Sequence, residues 1–489
     1  MLKVYNSLGR ELQEFKPLRE GSVRIYVCGP TVYGHSHIGH AKSYVSFDVV
    51  IRYLRYLGYN VRYVQNITDV GHLTDDADQG EDKVGQKARE MGLEPMEVAE
   101  KFTRSYFEDM DALNVQRPDI CPRASGHIPE QIELVQTLLD RGHAYEVDGN
   151  VYYDVSTFED YGKLSGRDLE DMMGGSRVEV RGEKKNQADF ALWKRAEGGH
   201  IMRWNSPWGE GFPGWHAECS VMATTYLGDT IDIHGGGIEN IFPHHENEVA
   251  QTEGATGQQF VRYWMHNNMV TVEGQKMGKS LGNFITLKDA FAGEPPLDKP
   301  IRPMVLRYFI LTSHYRKPLD FSTEALEAAR KGLERIEKAV GRLRRSIESA
   351  PEGDASEKIR TMLEENKEKF LEGMNNDFNT ASALGTINEL TREVLGILDS
   401  GEQLSRGDLS AIYDHYQELA GDVLGIVTPE TGGETEKGLE KELIQAMIDL
   451  REQLREEGNY EMADSVRDRL AEMGVELKDT PGGTAWELK

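Results

Sequence analysis

The stretch from Ser22 to Val70 constrains this chain most. SVRIYVC is an apolar run ending at Gly29-Pro30, and a Gly-Pro stop followed by histidines and Gly39 reads as strand, loop and helix start. AKSYVSFDVVIRYLRYLGY (41–59) places Val45, Val49, Leu54 and Leu57 among its apolar positions at helical spacing, with Gly58 as the stop. NVRYVQNITDV (60–70) is the next strand. Strand, helix and strand in succession call for a parallel sheet and an α/β fold. Open sheets of that kind hold their ligands at the carboxyl ends of strands, where Cys28 falls.

A chain of 489 residues exceeds a single core, so the sheet accounts for only part of it. Residues 78–111 read as helical. Residues 118–200 change to short mixed strands, Gly-rich turns and the charged RVEVRGEKKNQ, an insertion into the sheet domain. The α/β pattern resumes between Trp215 and Gly228, continues in the strand TIDIHGGG and leads to a helix near Pro243. From 322 to about 425 the amphipathic spacing predicts a helical bundle, with PEGDAS (351–356) as a polar connection. TPETGGETEKG (428–438) reads as a linker, followed by helices over 440–456 and 459–473 and a short tail.

The formal charge of −27 opposes a polyanionic partner unless a local basic face exists. The arginines of 51–63 and the RLRR run at 342–345 are the candidates for one. Three widely spaced cysteines, Cys28, Cys121 and Cys219, are no disulfide framework. No run reaches the roughly 18 apolar residues of a membrane span, and the N-terminus has no signal-type apolar stretch, so no membrane partner and a cytoplasmic location are expected.

Four residues form a plausible zinc set. Cys28 ends a strand, Cys219 follows the Gly-rich WGEGFPGWH, and His244 and Glu248 share one side of a helix if 244–250 is helical. The residues alone leave a second reading open, in which both cysteines are buried small hydrophobes and the pair is a helix-surface contact. His37-Ile38-Gly39-His40 can reach an anion at a helix start, Gly39 leaving room for close approach. Lys276 and Lys279 in KMGKS can follow charge developing on a departing phosphate, although a lysine pair is also ordinary solvated surface. No P-loop and no GxSxG elbow occurs, and HHENE lacks the HExxH order.

Taken together these pieces resemble one family. His37–His40 is similar to the HIGH signature, and Lys276–Ser280 to the KMSKS signature, of class I aminoacyl-tRNA synthetases. YVCGPTVY (26–33), QNITDV (65–70), GWHAECS (214–220), HGGGIENIFPHHENE (234–248), QKMGKSLGNF (275–284), NNDFNTASAL (375–384) and DTPGGTAW (479–486) resemble the cysteinyl-tRNA synthetases end to end. The resemblance implies a Rossmann-like catalytic domain over 1–117 and 201–270, split by the insertion at 118–200. It further implies a connecting segment at 271–321, a tRNA-binding bundle at 322–427, and a linker with a small anticodon-binding domain at 428–489.

By position, the resemblance makes Cys28, Cys219, His244 and Glu248 ligands of one Zn²⁺ per subunit. It makes His37, Gly39, His40 and Lys279 the ATP contacts, with His37, His40, Lys276 and Lys279 assisting the chemistry, and Trp215 a wall of the amino acid pocket. ATP with Mg²⁺, L-cysteine and tRNA(Cys) are the implied partners, and a monomer is the family's form. Zinc would separate cysteine from serine, since a thiolate binds the metal far better than a neutral hydroxyl. The residues 428–489 argue against a related ligase that joins cysteine to an amino sugar. Intact zinc and lysine positions argue against a silent RNA-binding descendant. Gly278 departs from the family's serine, and Cys121 receives no role.

Overall fold

The computed structural model describes residues 1–71, 82–168, 183–196, 202–297, 299–428, 431, 434–472, 475–480 and 483–488. The expected helical residues 78–81, the RVEVRG part of the insertion and most of the 428–433 stretch lie outside the described residues, as do the side chains of Lys279 and Trp486.

A hairpin of β1 (Lys3–Asn6) and β2 (Glu11–Glu14) precedes the unit expected from the sequence: β3 (Ser22–Val27), α1 (Ile38–Tyr56) and β4 (Asn60–Gln65). α2 (Lys83–Met91), α3 (Pro95–Ala112) and α4 (Ile128–Asp140) follow. Next comes an antiparallel sheet of β5 (Ala144–Val147), β6 (Asn150–Tyr153), β7 (Phe190–Arg195), β8 (Trp204–Ser206) and β9 (Gly209–Pro213), in the order β5-β6-β7-β9-β8. Its pairing carries this sheet on to Pro213, past the position 200 at which the sequence suggests a return to the main sheet. α5 (Trp215–Leu227), β10 (Ile231–Gly237), α6 (His244–Thr256) and β11 (Val261–Asn267) complete the central sheet. All four of its strands are parallel, in the order β11-β10-β3-β4.

Side-chain alternation along β3 assigns the two faces. Val23, Ile25 and Val27 point into the core shared with α1 and the bundle, whereas Tyr26 joins Met222, Val249 and Trp264 on the opposite face, under α5 and α6. Cys28 keeps the parity of Tyr26 and therefore lies among the residues of that second face, beside Cys219.

A small sheet of β12 (Val270–Val272), β13 (Gln275–Lys276) and β14 (Leu319–Phe321) carries the KMGKS segment. α7 (Leu287–Ala292) and α8 (Pro303–Leu311) lie between β13 and β14 in the chain. The bundle consists of α9 (Thr323–Ser349), α10 (Glu357–Asn375), α11 (Thr380–Asp399) and α12 (Arg406–Tyr416), with a π-helical turn at Gln417–Val423. α13 (Glu434–Glu456) begins inside the expected linker, and α14 (Tyr460–Glu472) follows it. The expected tail is instead a hairpin of β15 (Val475–Thr480) and β16 (Gly483–Leu488), in which Thr480 pairs with Gly483.

One buried guanidinium fastens the sheet domain to the bundle. Arg307 of α8 is fully buried and donates to Asp48 of α1 at 2.5 Å, to the Leu113 and Asn114 carbonyls at 2.9 and 3.0 Å, and to the Leu424 carbonyl at 2.9 Å. Such a pair is weak evidence of net stability, yet removing one partner strands the rest without water. Arg307→Met is expected to lower unfolding stability by about 3 kcal/mol in urea titrations. Lys358→Gln, which breaks the exposed pair with Glu402 at 2.9 Å, should cost less than about 1 kcal/mol. Equal effects would contradict this account of the junction.

Candidate functional site

Cys28 is fixed by the strand it leaves, its N–H donating to the Gly235 carbonyl of β10 at 3.0 Å. Its sulfur lies 3.9 Å from the Cys219 sulfur and 3.9 Å from Glu248 Oε1. His244 opens α6 and brings Nε2 to 3.2 Å from Glu248 Oε1, one helical turn on. One donor atom from each of Cys28, Cys219, His244 and Glu248 lies within 4.8 Å of all the others. Burial pushes the Cys28 thiol up to about 11, and raises Cys219 and Glu248 as well. Two sulfurs, an imidazole and a carboxylate gathered this closely are a chemically complete cation-binding set. The helical spacing of 244 and 248 thus has the consequence read from the sequence.

One donor atom from each of Cys28, His234, His245 and Glu248 also lies within 4.8 Å of the others. His234 and His245 are fully buried, and His234 Nε2 already faces Glu248 Oε2 at 2.8 Å. Cys28, Cys219 and His244 instead line a cavity of about 530 Å³. That volume is within the roughly 300–1,000 Å³ of small-molecule pockets. The set with an open side toward ligand is therefore the one read from the sequence. Trp215, at the start of α5, lines the same cavity and stacks on His244 with ring centroids 4.3 Å apart.

A ring of further histidines surrounds the donors, and sequence reasoning missed it. His216 Nδ1 is 2.8 Å from His244 Nδ1, leaving His244 Nε2 to face Glu248. A directed chain leads to Cys28: Ser7 Oγ is 2.7 Å from His266 Nδ1, His266 Nε2 is 2.8 Å from His245 Nδ1, and His245 Nε2 is 3.2 Å from the Cys28 sulfur. With Ser7 as the first donor, each ring accepts at Nδ1 and donates at Nε2, and the last N–H points to the sulfur. Burial holds both rings neutral, lowering His245 well below the usual imidazole range and His266 to about 3. The signal was the histidines inside GWHAECS and HHENE, but only folding brings His266 and Ser7 to them.

The two signature segments meet at the cavity's other end. His37 is the N-cap of α1, and its Nδ1 accepts from the N–H groups of Gly39 at 3.1 Å and His40 at 3.3 Å. His40 Nδ1 accepts from the His37 N–H at 3.4 Å. The two rings stack with centroids 3.7 Å apart and both line the cavity. A ring that accepts at Nδ1 carries its proton on Nε2 when neutral, and burial, then His37, lowers His40 well below the usual range. With Nδ1 accepting in each, Nε2 is the donor atom of both rings. The Ile38 N–H donates to the Ile285 carbonyl at 3.3 Å and Phe284 packs on His37 at 5.3 Å, so the KMGKS strand pair abuts the histidine turn.

Lys276 is exposed on β13 and is not among the cavity-lining residues, while Lys279 opens a short 3-10 turn, Lys279–Leu281. Asn283 brackets this loop, accepting from the Gly278 N–H at 2.9 Å and donating to the Lys276 carbonyl at 3.1 Å. A Cβ at Gly278 would meet nothing nearer than 3.9 Å. Glycine is therefore not sterically required there, and the family's serine fits. Cys121 is half-buried, with its thiol pushed up to about 11 by burial, and lies outside both metal-ligand sets.

The family model for tRNA synthetases class I (C) catalytic domain matches residues 14–331, and the DALR domain model matches 369–428. The Cysteine--tRNA ligase of Chlorobaculum tepidum is 53% identical over 100% of this chain and 99% of its own. That of Thermus thermophilus is 48% identical over the same shares. Among solved structures, a methionyl-tRNA synthetase of Mycobacterium tuberculosis with methionyl-adenylate superposes with TM-score 0.57 at 15% identity, over 84% of this chain and 92% of that one. A LeuRS of Agrobacterium radiobacter in a ternary complex gives 0.59 at 12% identity, over 84% and 85%. At those identities the likeness is one of fold.

Two glycines should behave oppositely. A Cβ at Gly29 would lie 1.5 Å from the Asn66 carbonyl oxygen, so Gly29→Ala must move the loop that follows Cys28. Its melting midpoint should fall by about 5 °C or more, whereas Gly278→Ser should shift it by less than about 2 °C. A destabilised Gly278→Ser would mean that the loop backbone is more crowded than described.

Proposed function

The chain belongs to the cysteine--tRNA ligases of class I, and from that premise we propose that it activates L-cysteine with ATP and transfers it to tRNA(Cys). The observation that carries this is the four-donor cluster of Cys28, Cys219, His244 and Glu248 on one side of the cavity lined by His37 and His40. A thiol-selecting floor and a phosphate-binding rim are what this reaction needs side by side.

In the first step a carboxylate oxygen of cysteine bonds to the α-phosphorus of ATP, and the bond to the bridging oxygen breaks, releasing pyrophosphate. Both reactants are anions, so positioning and charge neutralisation do the work, and the carboxylate needs no base. His37 and His40 donate from Nε2 to phosphate oxygens. Their Nδ1 atoms are held by backbone N–H groups, so neither ring must be protonated or turned. These rings have taken up the first-turn amides that a bare helix start would offer an anion. Lys276 and Lys279 neutralise the departing pyrophosphate, reaching inward by movement of the loop that Asn283 brackets. Mg²⁺ accompanies the nucleotide phosphates.

Cys28, Cys219, His244 and Glu248 hold one zinc ion. Zinc, when bound, supplies a soft Lewis acid that takes the substrate thiolate in preference to serine's hydroxyl. The His245 N–H steadies the Cys28 thiolate, and His216 fixes the orientation of His244. Two thiolates and a carboxylate leave one formal negative charge in excess of the metal's, which limits over-tight capture of the substrate. Trp215 walls the amino acid side of the cavity. In the second step the terminal ribose hydroxyl of the tRNA attacks the activated carbonyl, and AMP leaves. The bundle and the module at 428–489 bind the tRNA, and the enzyme acts as a cytoplasmic monomer.

Amino-acid-dependent ATP–pyrophosphate exchange tests this reading. Exchange is expected with cysteine and not with serine. Cys219→Ala, folded by circular dichroism, should lose at least about a hundredfold of it together with its zinc, measured by elemental analysis. Absence of exchange in metal-loaded, folded protein would remove the activation reading. Full retention in Cys219→Ala would remove the zinc assignment.

A further inference from the structure

Coordination to a soft metal sorts thiols from hydroxyls, but it does not sort one small thiol from another. The rest of the amino acid needs a recognition element of its own, and the cavity holds an unassigned group suited to it. Glu218 lies one residue before Cys219 on α5 and lines the cavity together with Trp215 and Cys219. Positions 215, 218 and 219 share one face of the helix, so the carboxyl is presented beside both the tryptophan wall and a metal-ligand sulfur.

Glu218 is 2% exposed, and only one of its two oxygens is used. Oε1 accepts from the Thr68 hydroxyl at 2.5 Å, and Thr68 Oγ1 accepts in turn from Asn66 Nδ2 at 3.0 Å. Asn66 Oδ1 accepts from the Gly29 N–H at 2.8 Å and lies 3.9 Å from the Cys219 sulfur. Asn66, Thr68 and Glu218 all line the cavity, and their bonds to one another fix the carboxyl in place. Oε2 has no hydrogen-bond partner among the described residues. A buried carboxyl oxygen left in this way is costly unless a donor arrives from the cavity.

The neighbours call for a cationic donor. The carboxyls of Asp69, Glu248 and Asp82 all oppose a negative charge on Glu218. Each of them is occupied: Asp69 accepts from Ser125, Asp82 from the Gly71 and Gly85 N–H groups, and Glu248 belongs to the metal set. Lys83 also lines the cavity, but its ammonium stands over the Tyr33 ring at 5.7 Å and makes no hydrogen bond to Oε2. Glu239, the other acid of the lining, is exposed to water, where a contact with a cation is worth little.

We propose that Glu218 Oε2 receives the α-ammonium of the substrate and so restricts the site to thiols that carry an amine. This rests on the proposed activation of cysteine. A thiol held at Cys28, Cys219, His244 and Glu248 keeps its amine two carbons from the sulfur, at the same end of the cavity. The ammonium supplies the donor that Oε2 lacks, and its charge is set among carboxyls. Glu218 is thus a specificity residue and takes no part in the bonds made and broken.

The test is calorimetric binding of three thiols to the metal-loaded full chain, as wild type and as Glu218→Gln. Cysteamine keeps the ammonium of cysteine without its carboxylate, and 3-mercaptopropionate keeps the carboxylate without the ammonium. The amide of the variant preserves shape and an acceptor for Thr68. Wild type should bind 3-mercaptopropionate at least about tenfold more weakly than cysteine. In Glu218→Gln, cysteine and cysteamine should each weaken roughly thirtyfold and 3-mercaptopropionate by less than about threefold, with zinc content by elemental analysis unchanged. Parallel weakening of all three thiols, or loss of zinc, would mean that Glu218 only shapes the site and would overturn the proposal. Equal wild-type affinity for cysteine and 3-mercaptopropionate would overturn it without any variant. The expected binding pattern without ATP–pyrophosphate exchange would leave the ammonium site standing and remove the activation reading alone.

Discussion

Two thiols, a carboxylate and an imidazole lie within 4.8 Å of one another at the carboxyl end of a parallel sheet, and burial raises all three of the acids. A cluster of this kind is costly unless a cation joins it, since neutral thiols waste their best ligand atoms and paired thiolates repel each other. Much of the fold serves to bring the four together. Strand parity at Cys28, the start of α5 near Cys219 and the single turn from His244 to Glu248 come from three separate elements. The glycines of β10 keep the helix on the other face close, for a Cβ at Gly235 would lie 2.3 Å from the Phe47 ring.

The same economy governs the histidines. Around the four-donor cluster they form hydrogen-bonded chains that end on Cys28 and His244. At the other end His37 and His40 exchange hydrogen bonds with each other's backbone and so present fixed donors to the cavity. Burial lowers His40, His245 and His266 below the usual imidazole range. A buried positive group in this acidic chain draws on a carboxylate, as Arg307 does on Asp48.

What the sequence made legible was local or periodic. The unit from Ser22 to Gln65 follows from apolar spacing and the Gly-Pro stop, and the pair at 244 and 248 follows from helical geometry. What escaped was set by contacts between distant segments. Ser7 and His266 reach Cys28 only because β1 packs beside β11, a juxtaposition no window of sequence contains. The final hairpin escaped because β15 and β16 alternate weakly and end in turn residues, which read as a tail. The RLRR run lies on α9, where Arg342 is held by Asp399 of α11 at 2.6 Å, a pairing between helices that no window of sequence contains. Gly278 departs from the family's serine, yet the loop around it has room for a side chain.

In the proposed reaction Cys28, Cys219, His244 and Glu248, rather than the neighbouring set with His234 and His245, hold the metal and leave one side open to a thiol. Zinc-edge X-ray absorption on the purified protein, recorded with and without cysteine, separates the two donor sets directly. The expected first shell has two sulfurs and two lighter ligands, with a third sulfur appearing when cysteine is added and none when serine is added. A shell with a single sulfur, or a sulfur count that cysteine leaves unchanged, would contradict the account.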